Sequence, residues 1–328
     1  MKKLTVLMPT YNKADSLGRA VMSVLIQETD YEYEIIIIDD KSTDGSLDVA
    51  LDFQFRNPDK IKIIRNDANL KLIRTILKGY AVTKTDYFTV LDPDDYYIAK
   101  DKFRKAIRFL EKHPEYAIYA ADTYVEENGK RKLWGKYKNR TYDFTRQADA
   151  PLGHTSGSIY RNVVFKEGLP KKLVEMSQGK YKEVFRGDYF RNMLHYTKGK
   201  AYLCADVESV YCMHGEGIWT SLDPLERTIL NTQAKIAFSR YFDGRASHHF
   251  IKSAYGSIHK CFRMLSEPVN KLAPFGYNMP CIQQLAELYN DYLEILKEKG
   301  LVEEARKWDA SGKTGWIGKI RKSLRIPS

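Results

Sequence analysis

The chain has 328 residues, 43% of them hydrophobic and 29% charged, so it is long enough to bury an apolar core without a disulfide or structural metal. No stretch is apolar over the roughly 20 residues that a membrane-spanning helix requires. Cys204, Cys212, Cys261 and Cys281 form no C-x-x-C pair, which excludes a disulfide scaffold and a zinc site and reads as reduced thiols of a cytoplasmic protein. The net charge of +11 favours anionic partners: nucleotides, anionic lipid headgroups or nucleic acid.

In chain order, Leu4 to Met8 is an apolar run ending at Pro9, too short for a signal-peptide core, and reads as the first strand. Ser16 to Leu25 carries apolar residues at helical spacing. Glu34 to Asp39 is a continuous apolar run suited to a strand buried on both faces. Ser42 to Ser46, STDGS, is turn and helix-cap chemistry before a helix to Phe55. Strands follow at Ile61 to Ile64, Tyr87 to Leu91 and Ala117 to Ala121, and helices at Leu72 to Ala81 and Lys102 to Lys112. This alternation predicts a doubly wound, mostly parallel α/β sheet, whose ligands bind beyond the carboxyl ends of the strands. Residues 126 to about 211 are mixed and rich in Gly, Lys and Tyr. From Pro224 onward three helices are expected, over Leu225 to Phe242, Phe250 to Leu265 and Ile282 to Lys299. The expected domains are therefore 1–222, with halves 1–125 and 126–222, then a helical extension 223–312 and a tail 313–328.

Polar clusters sit at the expected strand ends. Asp92, Asp94 and Asp95 place three carboxylates in four residues, a D-x-D pattern that a hard divalent cation such as Mn²⁺ or Mg²⁺ would neutralise; otherwise it is a solvated acidic turn. Asp39-Asp40 either caps the next helix or reads a ligand. In Pro9-Thr10-Tyr11-Asn12, Tyr11 either stacks on a base or packs.

Together, P-T-Y-N, I-D-D-x-S-T-D-G-S and L-D-x-D-D, in this order on successive strands, resemble the family 2 nucleotide-sugar glycosyltransferases of GT-A fold over roughly residues 3 to 220. The resemblance implies that Pro9 and Tyr11 hold a uracil, with Thr10 also at the nucleotide, that Asp40 accepts from its N3–H, that Asp92 contacts the ribose and that Asp94 binds the metal bridging the diphosphate. Asp188, in Arg-Gly-Asp-Tyr-Phe, matches the acidic residue that opens a helix in this family and would be the general base; a helix N-terminus favours its anion. The alternative is an N-cap aspartate. His214 matches a family histidine near the metal, and His154, Asp122 and Trp219 are candidates for sugar contacts. The family's Asn-x-Gly-x-x-x-Ala-Arg-Asn becomes Asn69-Leu-Lys71-Leu-Ile-Arg74-Thr-Ile76: Lys71 stands for the glycine and Ile76 for the arginine. Lys71, or Arg74 from the preceding turn, is left to meet the diphosphate.

The implied activity is inverting, metal-dependent transfer from a UDP-sugar to a hydroxyl of a glycan or lipid-linked glycan, in surface polysaccharide (capsule or lipopolysaccharide) synthesis. The alternative is a degenerate transferase-like scaffold. Trp316, Ile317, Ile320 and Leu324 lie on one helical face among basic residues, which suits a peripheral anchor on the inner face of the cytoplasmic membrane or packing on protein. The remaining positive charge reads as dispersed, against nucleic-acid binding. The helices after Pro224 can form a homodimer interface, a membrane platform or an acceptor cradle.

Overall fold

The computed structural model describes residues 2–144, 152–179, 187–213, 222–266 and 279–311. The chain divides into two compact units, 1–214 and 215–328.

The strands of the first unit are β1 (Leu4–Thr10), β2 (Tyr33–Asp39), β3 (Ile61–Arg65), β4 (Tyr87–Val90), β5 (Tyr96–Tyr97), β6 (Tyr116–Glu127), β7 (Lys130–Leu133), β8 (Arg140–Tyr142), β9 (Ser158–Arg161) and β10 (Lys200–Cys212). Its helices are α1 (Ala14–Leu25), α2 (Ser46–Arg56), α3 (Lys71–Val82), α4 (Lys102–Lys112), α5 (Lys171–Gln178) and α6 (Gly187–Tyr196). The sheet order is β3-β2-β1-β4-β9-β6-β10-β5, with β7 on β6 and β8 on β10. β3, β2, β1 and β4 are mutually parallel. β9 runs antiparallel between β4 and β6, so the second half of the sheet is mixed.

Alternation of side chains across the sheet explains the unbroken apolar runs. Leu4, Val6, Met8, Ile35 and Ile37 share a core with Leu17, Val21 and Val24 of α1 and Phe103, Ile107 and Leu110 of α4. Each such side chain contributes about 1.5–3 kcal/mol by leaving water. The opposite face meets α3. A Cβ at Gly79 would lie 2.7 Å from Ile38 Cδ1 and 3.2 Å from Leu7 Cδ2, so the missing side chain lets α3 close on the sheet.

Among the boundaries that differ from expectation, two touch candidate site residues. β6 continues to Glu127, so Asp122 lies within a strand rather than after it; opposite it, the β10 register slips between Cys204 and Val207 and between Val207 and Ser209. α3 begins at Lys71, one residue before the expected start, and Arg74 lies in its first turn.

The second unit contains α7 (Pro224–Tyr241), α8 (Gly244–Ser266), α9 (Met279–Glu298) and α10 (Val302–Ser311). α7 starts with a capping box between Asp223 and Glu226 and with Pro224 at a position that needs no N–H. Phe238 and Phe250 meet edge to face at 5.2 Å in the buried core of this unit. α9 ends in a Schellman pattern, Leu301 N donating to Leu296 O and Gly300 N to Lys297 O, with Gly300 at φ +66. The turn leads into α10, which apolar periodicity alone does not reveal. The tail 313–328 lies outside the described residues.

One buried ion pair joins the elements around the sheet's carboxyl edge. Lys102, at the start of α4, is fully buried; its Nζ donates to Gly157 O at 2.8 Å and lies 3.1 Å from Glu208 Oε2 of β10. Glu208 Oε1 accepts from Tyr119 Oη of β6 at 2.9 Å. Burial lowers the Lys102 pKa, and Glu208 opposes that shift. Lys105 Nζ, partly exposed, lies 3.3 Å from Glu208 Oε1 and stays as a second partner, so Lys102→Met is expected to cost about 3 kcal/mol in urea denaturation, the low end for breaking a buried pair, and the Lys102→Met/Glu208→Leu double variant to recover most of it. A loss under about 1 kcal/mol in the single variant would show that this pair does not hold the elements together.

Candidate functional site

The loops after β1 and β2 are interlocked by side chains. Asn12, at φ +51, donates its backbone N–H to Ser42 Oγ (3.1 Å) and accepts from Thr43 N on Oδ1 (2.8 Å). Lys13 N donates to Ser46 Oγ at 2.6 Å, and Ala14 N to Asp44 Oδ2 at 3.1 Å. The STDGS segment thus satisfies orphan N–H groups at the start of α1 as well as shaping its own turn.

Pro9 and Thr10 pair with Ile38 and Asp39 inside the sheet, and the Thr10 hydroxyl donates to Met8 O. Both are buried. Tyr11 is 43% exposed at the strand end. Asp40 is buried; its Oδ1 accepts from Asn66 Nδ2 at 2.7 Å and from Leu70 N at 2.8 Å. The start of α3 is thereby tied to Asp40 through Oδ1. Lys71 adopts φ +68, the left-handed region that favours glycine, which accounts for the glycine of the resembling pattern at this position. Lys71 and Arg74 are both exposed.

The acidic turn after β4 divides its carboxylates between two surroundings. Asp94 Oδ2 lies 2.6 Å from Lys13 Nζ. Asp95 is buried: Oδ1 accepts from Cys212 N at 3.1 Å, whereas Oδ2 has no hydrogen-bond partner and lies 3.3 Å from His154 Nδ1. Asp92, Asp95 and His154 can each offer a ligand atom within 4.8 Å of the others. Burial, then the charge of Asp94, pushes the Asp92 carboxyl up to about 7. Burial, then Asp92 and Asp94, raises Asp95 well above the carboxylate range. Burial lowers His154 to about 4, against the pull of Asp188 and Asp94. A neutral imidazole, two crowded carboxyl groups and an orphaned buried oxygen form a donor set that fits a divalent cation. The trio includes Asp95 and His154; Asp94 is held by Lys13 instead.

His154 caps a short 3₁₀ turn, Thr155–Gly157, and stacks on Tyr211 at 4.3 Å. Asp188 lies in the first turn of α6, exposed, with Oδ1 accepting from Tyr189 N at 2.6 Å. Its charge reaches Asp92 and His154. Asp122 is buried and serves the backbone: Oδ1 accepts from Thr123 N and Oδ2 from Tyr137 N. It does not present an open carboxylate for a sugar. His214 and Trp219 lie outside the described residues.

Three residues escaped the sequence reading; Asp95 belonged to the acidic run that it singled out, without a separate role. Lys13 and Asn66 carried no signal, because their roles depend on loops brought together from distant positions. Arg191 of α6 is buried, donates Nη1 to Tyr80 Oη at 2.7 Å, lies over the Tyr160 ring and leaves Nε and Nη2 without partners. Its charge opposes the rise in the Asp92 pKa.

The backbone at Lys71 yields a stability test. Lys71→Gly removes the Cβ conflict of a left-handed residue, less the extra freedom of glycine in the unfolded chain, so the variant should be more stable by about 0.5–1 kcal/mol in chemical denaturation. Destabilisation would mean that the lysine side chain supports the fold.

Residues 5–169 match the model of Glycosyl transferase family 2. Over 223 residues the chain is 21% identical to an uncharacterized protein of Mycobacterium tuberculosis, covering 66% of this chain and 61% of that protein; it therefore spans less than two thirds of that relative's length. It is 35% identical over 97 residues to the poly(ribitol-phosphate) beta-N-acetylglucosaminyltransferase TarP of Staphylococcus aureus, 29% of each chain. The fold is similar to that of S. aureus TarS 1–349, crystallised in complex with UDP-GlcNAc, with a TM-score of 0.59 and 15% identity over 89% of this chain and 81% of TarS. The matched segment spans half the sequence and holds the interlocked loops, the acidic turn and His154: the chain belongs to glycosyl transferase family 2.

Proposed function

We propose that the protein transfers a sugar, with inversion, from a UDP-sugar to a hydroxyl of a surface-glycan acceptor. The observation that carries this reading is the meeting of Asp92, Asp95 and His154 at the carboxyl edge of the parallel strands, with Asp40 on the nucleotide side and Asp188 within electrostatic reach. Relatives support the donor class: TarS is crystallised with UDP-GlcNAc, and TarP is named for transfer of N-acetylglucosamine.

In this reading Tyr11 lies against the uracil and Asp40 Oδ2 accepts its N3–H. Asp92, Asp95 and His154 would hold a Mn²⁺ or Mg²⁺ ion, which when bound supplies Lewis-acid stabilisation of the leaving diphosphate. Lys13, Lys71 and Arg74 add positive charge on the donor side. Asp188 takes the proton of the acceptor hydroxyl, whose oxygen attacks the anomeric carbon as the bond to the diphosphate oxygen breaks. The electron pair leaves with UDP. A single displacement inverts the anomeric centre.

Calorimetry with UDP, GDP, CDP and dTDP, each with and without Mn²⁺, tests the donor site. UDP should bind best, and Mn²⁺ should strengthen it in wild type but not in an Asp95→Asn/His154→Ala variant. If none of the four binds, the reading fails. Asp188→Asn should leave UDP affinity unchanged and lower kcat about 10²–10⁴-fold; turnover at the wild-type rate would remove Asp188 from the chemistry. Because a cation must displace protons held by Asp92 and Asp95, Mn²⁺ affinity should fall by about tenfold or more for each pH unit below 7. A flat profile from pH 5.5 to 8 would show that Asp92 is not a ligand.

A further inference from the structure

The segment from Lys130 to Tyr142, KRKLWGKYKNRTY, holds six basic residues and no acid. It leaves β6 through Asn128 and Gly129, at φ +51 and +74, a pair of left-handed residues that makes a tight hairpin. β7 returns along β6 and β8 joins β10, so the stretch between them bridges two strands of the sheet. Arg131 and Lys132 face Glu126 and Glu127. Lys130, Lys136, Lys138 and Arg140 are exposed and form no ion pair among the described residues.

The bridge is a built structure. Trp134 N donates to Thr123 O at 2.8 Å, Tyr137 N to the buried Asp122 at 3.2 Å, and Ala205 N to Asn139 Oδ1 at 2.8 Å. Lys136 takes φ +47. A Cβ at Gly135 would lie 2.1 Å from the Tyr137 ring, so that ring folds over the backbone only because residue 135 is glycine. These devices display Trp134, 41% exposed, with its ring edge-on to His154 at 5.4 Å and to Tyr211 at 5.7 Å. An indole held by these contacts yet left wet, beside His154 of the acidic trio and in a segment that carries four unpaired cations, combines a flat apolar surface for the C–H face of a sugar ring with charge for its anionic substituents.

We propose that the Lys130–Arg140 hairpin is an acceptor-docking site, and that the acceptor is an anionic glycan whose sugar ring packs on Trp134. The inference rests on the transferase reading for its functional meaning and supplies the acceptor's chemical class.

Full-length protein is titrated in EDTA with four probes: hyaluronan oligosaccharides (sugar with charge), dextran (sugar alone), polyphosphate (charge alone) and phosphatidylglycerol vesicles. Hyaluronan should bind most tightly. Trp134→Ala should weaken it about tenfold, as expected for a buried aromatic contact, and leave polyphosphate unchanged, while Trp134→Phe restores part of the loss. Lys136→Gln/Lys138→Gln/Arg140→Gln should weaken both anions and flatten the salt dependence. The proposal is overturned if dextran matches hyaluronan, if polyphosphate matches it and Trp134→Ala is silent, or if vesicles bind more tightly through the same residues. UDP calorimetry on every variant reports the donor site separately. Intact UDP binding with no hyaluronan binding refutes the docking site alone; absent UDP binding in wild type refutes the transferase reading alone.

Discussion

The buried Lys102–Glu208 pair is the interaction on which the geometry of the candidate site depends. Lys102 follows the acidic turn by seven positions and donates to Gly157, three positions after His154. Glu208 lies on β10, four positions before Cys212, whose N–H holds Asp95. One ammonium therefore ties together three segments that supply Asp95, His154 and the strand that fixes them. An ion pair in a dry interior is a poor source of net stability, but a misregistered partner there is strongly disfavoured. That asymmetry suits a site whose donor atoms must stay within 4.8 Å of each other.

Charge balance is the second organising constraint. Asp92, Asp94, Asp95 and Asp188 bring carboxylates into mutual electrostatic reach. Lys13, just before α1, pairs with Asp94, and Arg191 acts on Asp92 from within the protein. Arg19 adds a third cation, donating to Asp94 O and lying over the Tyr96 ring at 4.4 Å. The basic residues differ in depth: Arg191 is buried, Lys13 is partly exposed beside Asp94, and the cations of the Lys130–Arg140 segment are exposed.

The parallel half of the fold was legible because its signals are local. β2 reads as buried from IIII alone, and α4 from apolar spacing that both agree with the observed bounds to within a residue or so. The family was legible from three motifs taken together, through the resemblance rather than through any one of them. What escaped depended on long-range register. Asp122 looked like a strand-end acid because nothing local shows that β6 runs on to Glu127 against a slipped β10. The division of labour between Asp94 and Asp95 depends on Lys13, 81 positions before Asp94. Nothing local marks Lys102, the first residue of the expected helix, as fully buried. The positive charge read as dispersed, although six of its residues fall within one hairpin whose exposure only the fold reveals.

The interlock of Asn12, Ser42, Thr43, Asp44 and Ser46 has a thermodynamic consequence for recognition. These side chains already occupy the backbone amides of residues 12 to 14 and hold Asn12 in a left-handed conformation. The wall against which a nucleotide would lie is therefore assembled before any ligand arrives. Such a wall surrenders little conformational freedom on association, so more of each contact formed is expressed as affinity. A small ligand could then be captured by a rigid recess, with the entropic cost of ordering borne during folding and not at each encounter.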